Sequence, residues 1–141
     1  MSTGETSAAA LHRHVVESGQ HLFSRLNLRD ATVDGADLAV ELELDPSLLN
    51  PRGALQGGLV ATLVDIVAGR AATEGLEPSL HAVTADLNVH YMAPIVAGPA
   101  HAVGTVLRRG RRLVVVRVDV HDGRGGPLAA AGTSTFTVVR V

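Results

Sequence analysis

The chain has no cysteine, and all 12 of its basic residues are arginine. The first absence excludes disulfides, thiolate-held metals and a cysteine nucleophile. The second excludes Schiff-base chemistry on a lysine amine. Aromatic residues are nearly missing as well: Phe23, Phe136 and Tyr91 are the whole set. The core must therefore be built from Val, Leu and Ala, and no platform exists on which nucleic-acid bases would stack. No stretch of about 18 apolar residues occurs, so nothing is expected to span a membrane. The first residues lack the basic-then-apolar order of a secretory signal. With a net charge of −2, no long-range attraction to nucleic acid or anionic membrane is expected. These absences predict a soluble cytoplasmic protein with neither as partner. The Gly-x-Ser-x-Gly nucleophile elbow, the Walker loop and the dinucleotide fingerprint are all absent. The 7 histidines show no metal-ligand spacing; His12 and His14 are two apart on an expected helix and do not share a face. No metal and no cofactor is expected.

What is present is 46% apolar residues over 141 positions, enough for one domain with a real core. Residues 1–8 read as a frayed tail and 9–141 as a single domain. A helical stripe of Leu11, Val15, Leu22 and Leu26 predicts one helix over about 9–26, weakened at Gly19. Leu38, Val40, Leu42 and Leu44 alternate with Ala39, Glu41 and Glu43, the pattern of a strand with one solvated face. Asp34-Gly35 would turn it back on residues 27–33. A loop over 46–56 leads into a second helix at about 57–74, stopped by Gly75 and Pro78. Strand patterns follow over about 83–92, 100–109, 112–121 and 128–139. They are joined mostly by short turns, which imply antiparallel neighbours. One long helix on such a sheet is an α+β layer arrangement.

Asp65 stands out in that second helix, because no other acidic residue occurs between Asp45 and Glu74. A lone carboxylate in an apolar helix is costly unless paired, neutralised or used. On a helical wheel it shares a face with Gly58, Ala61, Thr62, Ala68, Gly69 and Ala72, all small. Leu59, Leu63, Val64, Ile66, Val67 and Arg70 lie on the other side, which would pack on the sheet. The small face leaves room for a ligand, another subunit or both. A buried Asp tied to local backbone or a neighbouring Arg is the alternative. The Gly57-Gly58 start leaves helix N–H donors uncovered, and such donors can polarise a carbonyl.

Taken together, Asn50-Pro51-Arg52-Gly53-Ala54-Leu55-Gln56-Gly57-Gly58 with Leu63-Val64-Asp65 resembles the hotdog-fold acyl-CoA thioesterases of the PaaI-like type. Their pattern is Asn, Gly three on, His-Gly-Gly three further, then a helical Asp. The segment from Val83 to Pro94 and the Gly110-Arg111 turn also resemble that family, so about residues 35–139 are covered. The resemblance implies a long central helix wrapped by a curved antiparallel sheet. It implies homodimers, often dimers of dimers (homotetramers), with active sites at the subunit interface.

By position, the resemblance assigns Asp65 as nucleophile or as the base that activates water. It assigns the Gly57 N–H to polarising the thioester carbonyl, and Asn50 and Gln56 to orienting the site. Thr84 would hold the water or the carboxylate, perhaps from the opposing subunit. Tyr91, Arg109, Gly110 and Arg111 lie where family members contact the CoA moiety. Arg108-Arg109-Gly110-Arg111-Arg112 reads equally as a solvated turn, although arginine forks suit phosphate. His90 shares a strand face with Thr84 and Asn88 by simple alternation. Gln56 stands where the family usually has His; its amide can donate a hydrogen bond but cannot transfer a proton near neutral pH. The expected activity is hydrolysis of an acyl-CoA to CoA and a carboxylate, without a cofactor. The alternative is a hotdog domain that binds acyl-CoA, or regulates through it, without turnover.

Overall fold

The computed structural model describes residues 7–141. Residues 1–6 of the expected tail lie outside the described residues. Helix α1 spans Ser7–Glu17 and a single turn, α2, spans Leu22–Arg25. The expected continuous helix over 9–26 is thus two. Gly19 takes φ 73°, and Gly19 N–H and Gln20 N–H donate back to the carbonyls of Val16 and Val15. This is a glycine-ended helix stop, and the left-handed residue sends the chain off the helix axis.

Strands β1 (Leu28–Ala31) and β2 (Leu38–Leu42) form the expected hairpin. Helix α3 runs over Gly57–Thr73. Four long strands follow: β3 (Leu80–Tyr91), β4 (Ala100–Arg109), β5 (Leu113–Asp122) and β6 (Leu128–Arg140). One sheet contains them all in the order β1-β2-β4-β5-β6-β3. Every neighbouring pair is antiparallel. The chain folds this way because each strand from β4 to β6 is separated from the next by a few turn residues. No helix among the described residues is long and apolar enough to cross a membrane.

Helix α3 packs against β2 to β6, so the sheet wraps around it. Val60, Leu63, Val64 and Val67 meet Val40, Leu42, Val114, Val116, Val118 and Val120 in the core. Each such side chain contributes about 1.5–3 kcal/mol when fully buried. Approach is close: a Cβ on Gly104 would sit 2.8 Å from Val67 Cγ1. The small face of α3 is not all open, as the helical wheel suggested. Ala68 and Ala72 are fully buried, whereas Leu59 and Ile66 are only half-buried and Arg70 is exposed. Small side chains let the C-terminal half of α3 settle onto the sheet. The open stripe narrows to Gly58, Ala61, Thr62, Asp65, Ile66 and Gly69.

The solvated face expected of β2 is a second correction. Glu41 is 5% exposed and His101 is 4% exposed. They are direct cross-strand partners, joined from His101 Nδ1 to Glu41 Oε2 at 2.8 Å. Arg29 reaches the same carboxylate from β1 at 3.4 Å, and Arg124 from the β5–β6 turn at 3.5 Å. Glu41 is buried because long cationic side chains fold over it and supply its hydrogen bonds. Burial works against its ionisation, but His101, Arg124 and Arg29 outweigh that and hold its pKa below the usual carboxylate range. A folded-state pKa lowered in this way adds stability above the unfolded value and loses it as pH falls through the folded one. The melting temperature should therefore fall as pH is taken below about 4.3. In Glu41→Gln that acid dependence should be shallower, as read by thermal melts across pH 3–7.

Strand β3 is the free edge of the sheet beside β6, and most of its side chains are exposed. It also carries a β-bulge: Thr84 pairs with Phe136 and Asp86 with Thr135, leaving Ala85 unpaired. The extra residue reverses the alternation along the strand. Thr84 opposes buried Phe136 on the helix side, and beyond the bulge Leu87 and Tyr91 oppose buried Ser134 and Ala130. Asn88 and His90 therefore face away from Thr84, contrary to simple alternation.

Candidate active site

Two hollows flank α3 at different heights: Asp65 and Thr84 border one, and Asn50, Gly57 and Tyr91 the other. The first, of about 280 Å³, is bordered by Asp65, Thr84, Phe23, Ala61, Ile66 and Leu87. Asp65 is half-buried there, and its Oδ1 accepts a hydrogen bond from Thr84 Oγ1 at 2.9 Å. The sheet positions this contact, since Thr84 points at the helix from just before the bulge. The Thr62 hydroxyl, which also borders the hollow, is turned to the Gly58 carbonyl at 2.9 Å, and Asp65 forms no ion pair among the described residues. The bland alternative of an Asp paired with a neighbouring Arg is not the arrangement found: Arg70 is bound instead to Asp30, at 2.8 and 3.0 Å.

The second hollow, of about 350 Å³, is bordered by Gly57, Asn50, Leu55, Tyr91, Pro94 and Ile95. Helix α3 opens here with Gln56 as its N-cap and no side-chain capping bond. Gly57 N–H and Gly58 N–H have no partner among the described residues, as the first turn of a helix dictates. The helix dipole places its positive end at the same spot. Asn50 shapes the approach: its Oδ1 accepts from Arg52 N–H at 2.9 Å and from Ala54 N–H at 3.2 Å. That leaves its amide NH₂ as the group able to donate. The Gln56 side chain is exposed and makes no hydrogen bond among the described residues, so its amide is likewise available. Tyr91 lies over the helix start, its hydroxyl donating to the Gly57 carbonyl at 2.6 Å. The sequence carried no sign of that bond, because the bulge that turns Tyr91 inward is marked only by an alanine.

The arginine turn between β4 and β5 lies at the other end of α3. Arg109 donates to the carbonyls of Ala72 and Ala71, each at 2.9 Å. It thereby ties down carbonyls of the last helical turns. Gly110 N–H closes the turn on the Leu113 carbonyl at 2.8 Å. Arg111 is exposed. A larger cleft of about 630 Å³, bordered by Asp30, Asp37, Arg70 and Glu74, also lies off the C-terminal half of α3. None of the expected site residues borders it. No cluster of groups able to hold a metal occurs among the described residues.

Residues 52–129 match the sequence profile of the thioesterase superfamily. Acyl-coenzyme A thioesterase 13 of Mus musculus is 34% identical over 101 residues, covering 70% of each chain. The BH2602 protein of Bacillus halodurans, crystallised with CoA, superposes with a TM-score of 0.77 at 28% identity. That alignment covers 99% of this chain and 98% of that one. A phenylacetic acid degradation-related protein of Ralstonia eutropha JMP134 gives a TM-score of 0.73 at 26% identity, covering 88% and 97%. A six-stranded antiparallel sheet wrapped on one long helix, matched over more than half its sequence and nearly all its fold, belongs to a hotdog protein of the thioesterase superfamily, PaaI-like in type, and this chain is a hydrolase acting on thioester bonds.

Proposed function

We propose that the chain hydrolyses acyl-CoA thioesters at a site shared between two copies. The observation that carries this reading is the split between the two hollows. Asp65 follows Gly57 by eight residues, a rise of about 12 Å along a helix. A carbonyl held at Gly57 N–H cannot meet a water held by Asp65 of the same chain, since both must lie about 3 Å from the reacting carbon. The exposed edge of β3 supports the other half of the proposal. Two such edges pairing about a two-fold axis would bring Asp65 and Thr84 of one copy to Gly57, Asn50 and Gln56 of the other. An isologous contact of this kind gives two equal sites, and two dimers can then associate further.

In this reading Gly57 N–H, with the Asn50 and Gln56 amides beside it, binds the thioester carbonyl oxygen as negative charge develops there. Asp65, oriented by the Thr84 hydroxyl, takes a proton from water while the water oxygen bonds to the carbonyl carbon. The tetrahedral intermediate then expels the CoA sulfur, which leaves with that proton. Direct attack by the carboxylate, giving an anhydride that water opens, uses the same residues. Gln56 supports orientation, since its amide donates without exchanging a proton. A screen of acyl-CoA esters with a thiol-reactive dye tests the proposal, the expected result being release of free CoA. Saturable binding of the esters with no thiol release would instead establish the non-catalytic acyl-CoA-binding reading.

We assign the CoA phosphates to the arginine turn, with the roles divided. Arg111→Ala should raise KM for CoA esters several-fold with kcat retained, because it removes an exposed cation from the binding path. Arg109→Ala should instead lower the melting temperature, because it frees two helix carbonyls. An unchanged KM in Arg111→Ala would make the cluster a solvated turn.

A further inference from the structure

One carboxylate outside the proposed chemistry is bound more fully than Asp65. Asp122 closes β5 and accepts hydrogen bonds from three successive N–H groups of the β3–β4 connection. Val96 N–H donates to Oδ2 at 3.0 Å and Gly98 N–H to Oδ1 at 2.7 Å. Ala97 N–H lies between them, at 3.1 and 3.3 Å from the two oxygens. Consecutive N–H groups converging on one anion form a nest. Burial works against ionisation of Asp122, but the three donors outweigh it and hold its pKa below the usual carboxylate range. The anchor itself is fastened: Gly123 N–H bonds the Pro99 carbonyl at 2.8 Å, and Arg124 on the same turn reaches buried Glu41.

The segment that Asp122 grips continues directly into the second hollow. Ile95, one residue before the nest, is 2% exposed and walls that hollow with Pro94. Its carbonyl accepts the Leu55 N–H at 2.9 Å. Leu55 stands two residues before Gly57 and borders the same hollow. A continuous path therefore runs from the Asp122 carboxylate through residues 95–98 to Leu55 and the first N–H groups of α3.

We propose that Asp122 is a positioning residue of the thioester site: it fixes the 94–98 segment so that Ile95 walls the hollow beside Gly57, where the acyl group would lie, and holds the start of α3 in register. The proposal rests on the thioesterase reading for its kinetic consequence, and on hydrogen bonds alone for its structural one. Asp122 touches no reacting atom. Its loss should disturb the acyl and carbonyl half of the site and spare the nucleotide half, which lies at the opposite end of α3.

The test is Asp122→Asn, which keeps the shape but removes the charge and turns an NH₂ group toward N–H donors. With hexanoyl-CoA and phenylacetyl-CoA as probes, kcat should fall roughly tenfold or more, the scale of a small misplacement at a reacting centre. The dissociation constant for free CoA should stay as in the wild type. Hydrogen–deuterium exchange should quicken in peptides covering 94–99 and also in those covering 50–60. Asp122→Glu, which retains the charge, should recover part of the rate; should Asp122→Asn not fold, Asp122→Glu is read in its place for smaller changes of the same kind. Wild-type kcat in a folded variant, or quickened exchange confined to 94–99, would overturn the proposal. If the wild type itself releases no thiol from any CoA ester, the thioesterase reading fails, and the exchange in 50–60 still decides whether Asp122 holds the helix start.

Discussion

Asp65→Asn is expected to lower turnover by about 10²–10⁴, the usual contribution of a positioned base, while the protein stays folded. Asn occupies the same volume, and its Oδ1 can still accept the Thr84 hydroxyl that now bonds the carboxylate at 2.9 Å. No cation is left without a partner, because Asp65 forms no ion pair among the described residues. The substitution therefore isolates the basicity of the group from its structural use. KM for the CoA ester should change little, since the arginine turn proposed to bind the nucleotide lies at the other end of α3. A rate within a fewfold of wild type would reduce Asp65 to an anchor for β3.

The second large effect is a recovery. Gly57→Val and Asp65→Asn should each be nearly inactive alone. Coexpressed, they should regain about a quarter of wild-type specific activity, as expected when two-fold dimers form at random and half carry one intact site. The intact site takes Gly57 from the chain bearing Asn at 65 and Asp65 from the chain bearing Val at 57. A Cβ on Gly57 meets the Tyr91 ring at 3.5 Å, an ordinary contact; the γ-carbons of valine reach further and are expected to crowd the N–H, and a thermal melt of the variant checks that it still folds. Activity no higher than the sum of the separate variants would place the whole site within one chain and refute the shared arrangement.

Much of this molecule was legible in its sequence because the residues concerned act locally. Asp65 announced itself by charge in an apolar helix, Gly57-Gly58 by what a helix start leaves uncovered, and the long strands by alternation and turn chemistry. What escaped depends on partners distant in the chain. Glu41 read as solvent-facing because nothing near it reveals that His101 and Arg124 will arrive over it. Arg109 stood in a charge cluster that suits phosphate, yet its hydrogen bonds go to the carbonyls of Ala71 and Ala72. That destination is set by where β4 ends relative to α3. Asp122 drew no notice, because the segment it binds lies more than twenty positions earlier. The break at Gly19 was visible as a weakness, but an apolar stripe running past it made one helix seem the better reading.

Ala85 has neither charge nor a special backbone, and it sets the phase of β3. Thr84 and Tyr91 are seven positions apart, an odd interval, and in an unbroken strand they would point to opposite sides. The unpaired alanine lets one strand present the Asp65 partner at one height of α3 and the cover of Gly57 at another. With the bulge kept, loss of a single residue from 86–90, or gain of one, would turn one of those two side chains out of the site, whereas loss of Ala85 itself would leave an unbroken strand with an even interval and both side chains facing in. Paired changes of two would keep both. The connection between β1 and β2 is under no such parity rule, since nothing in the site depends on its length. In this chain, drift in length is cheap at the turns and quantised in β3.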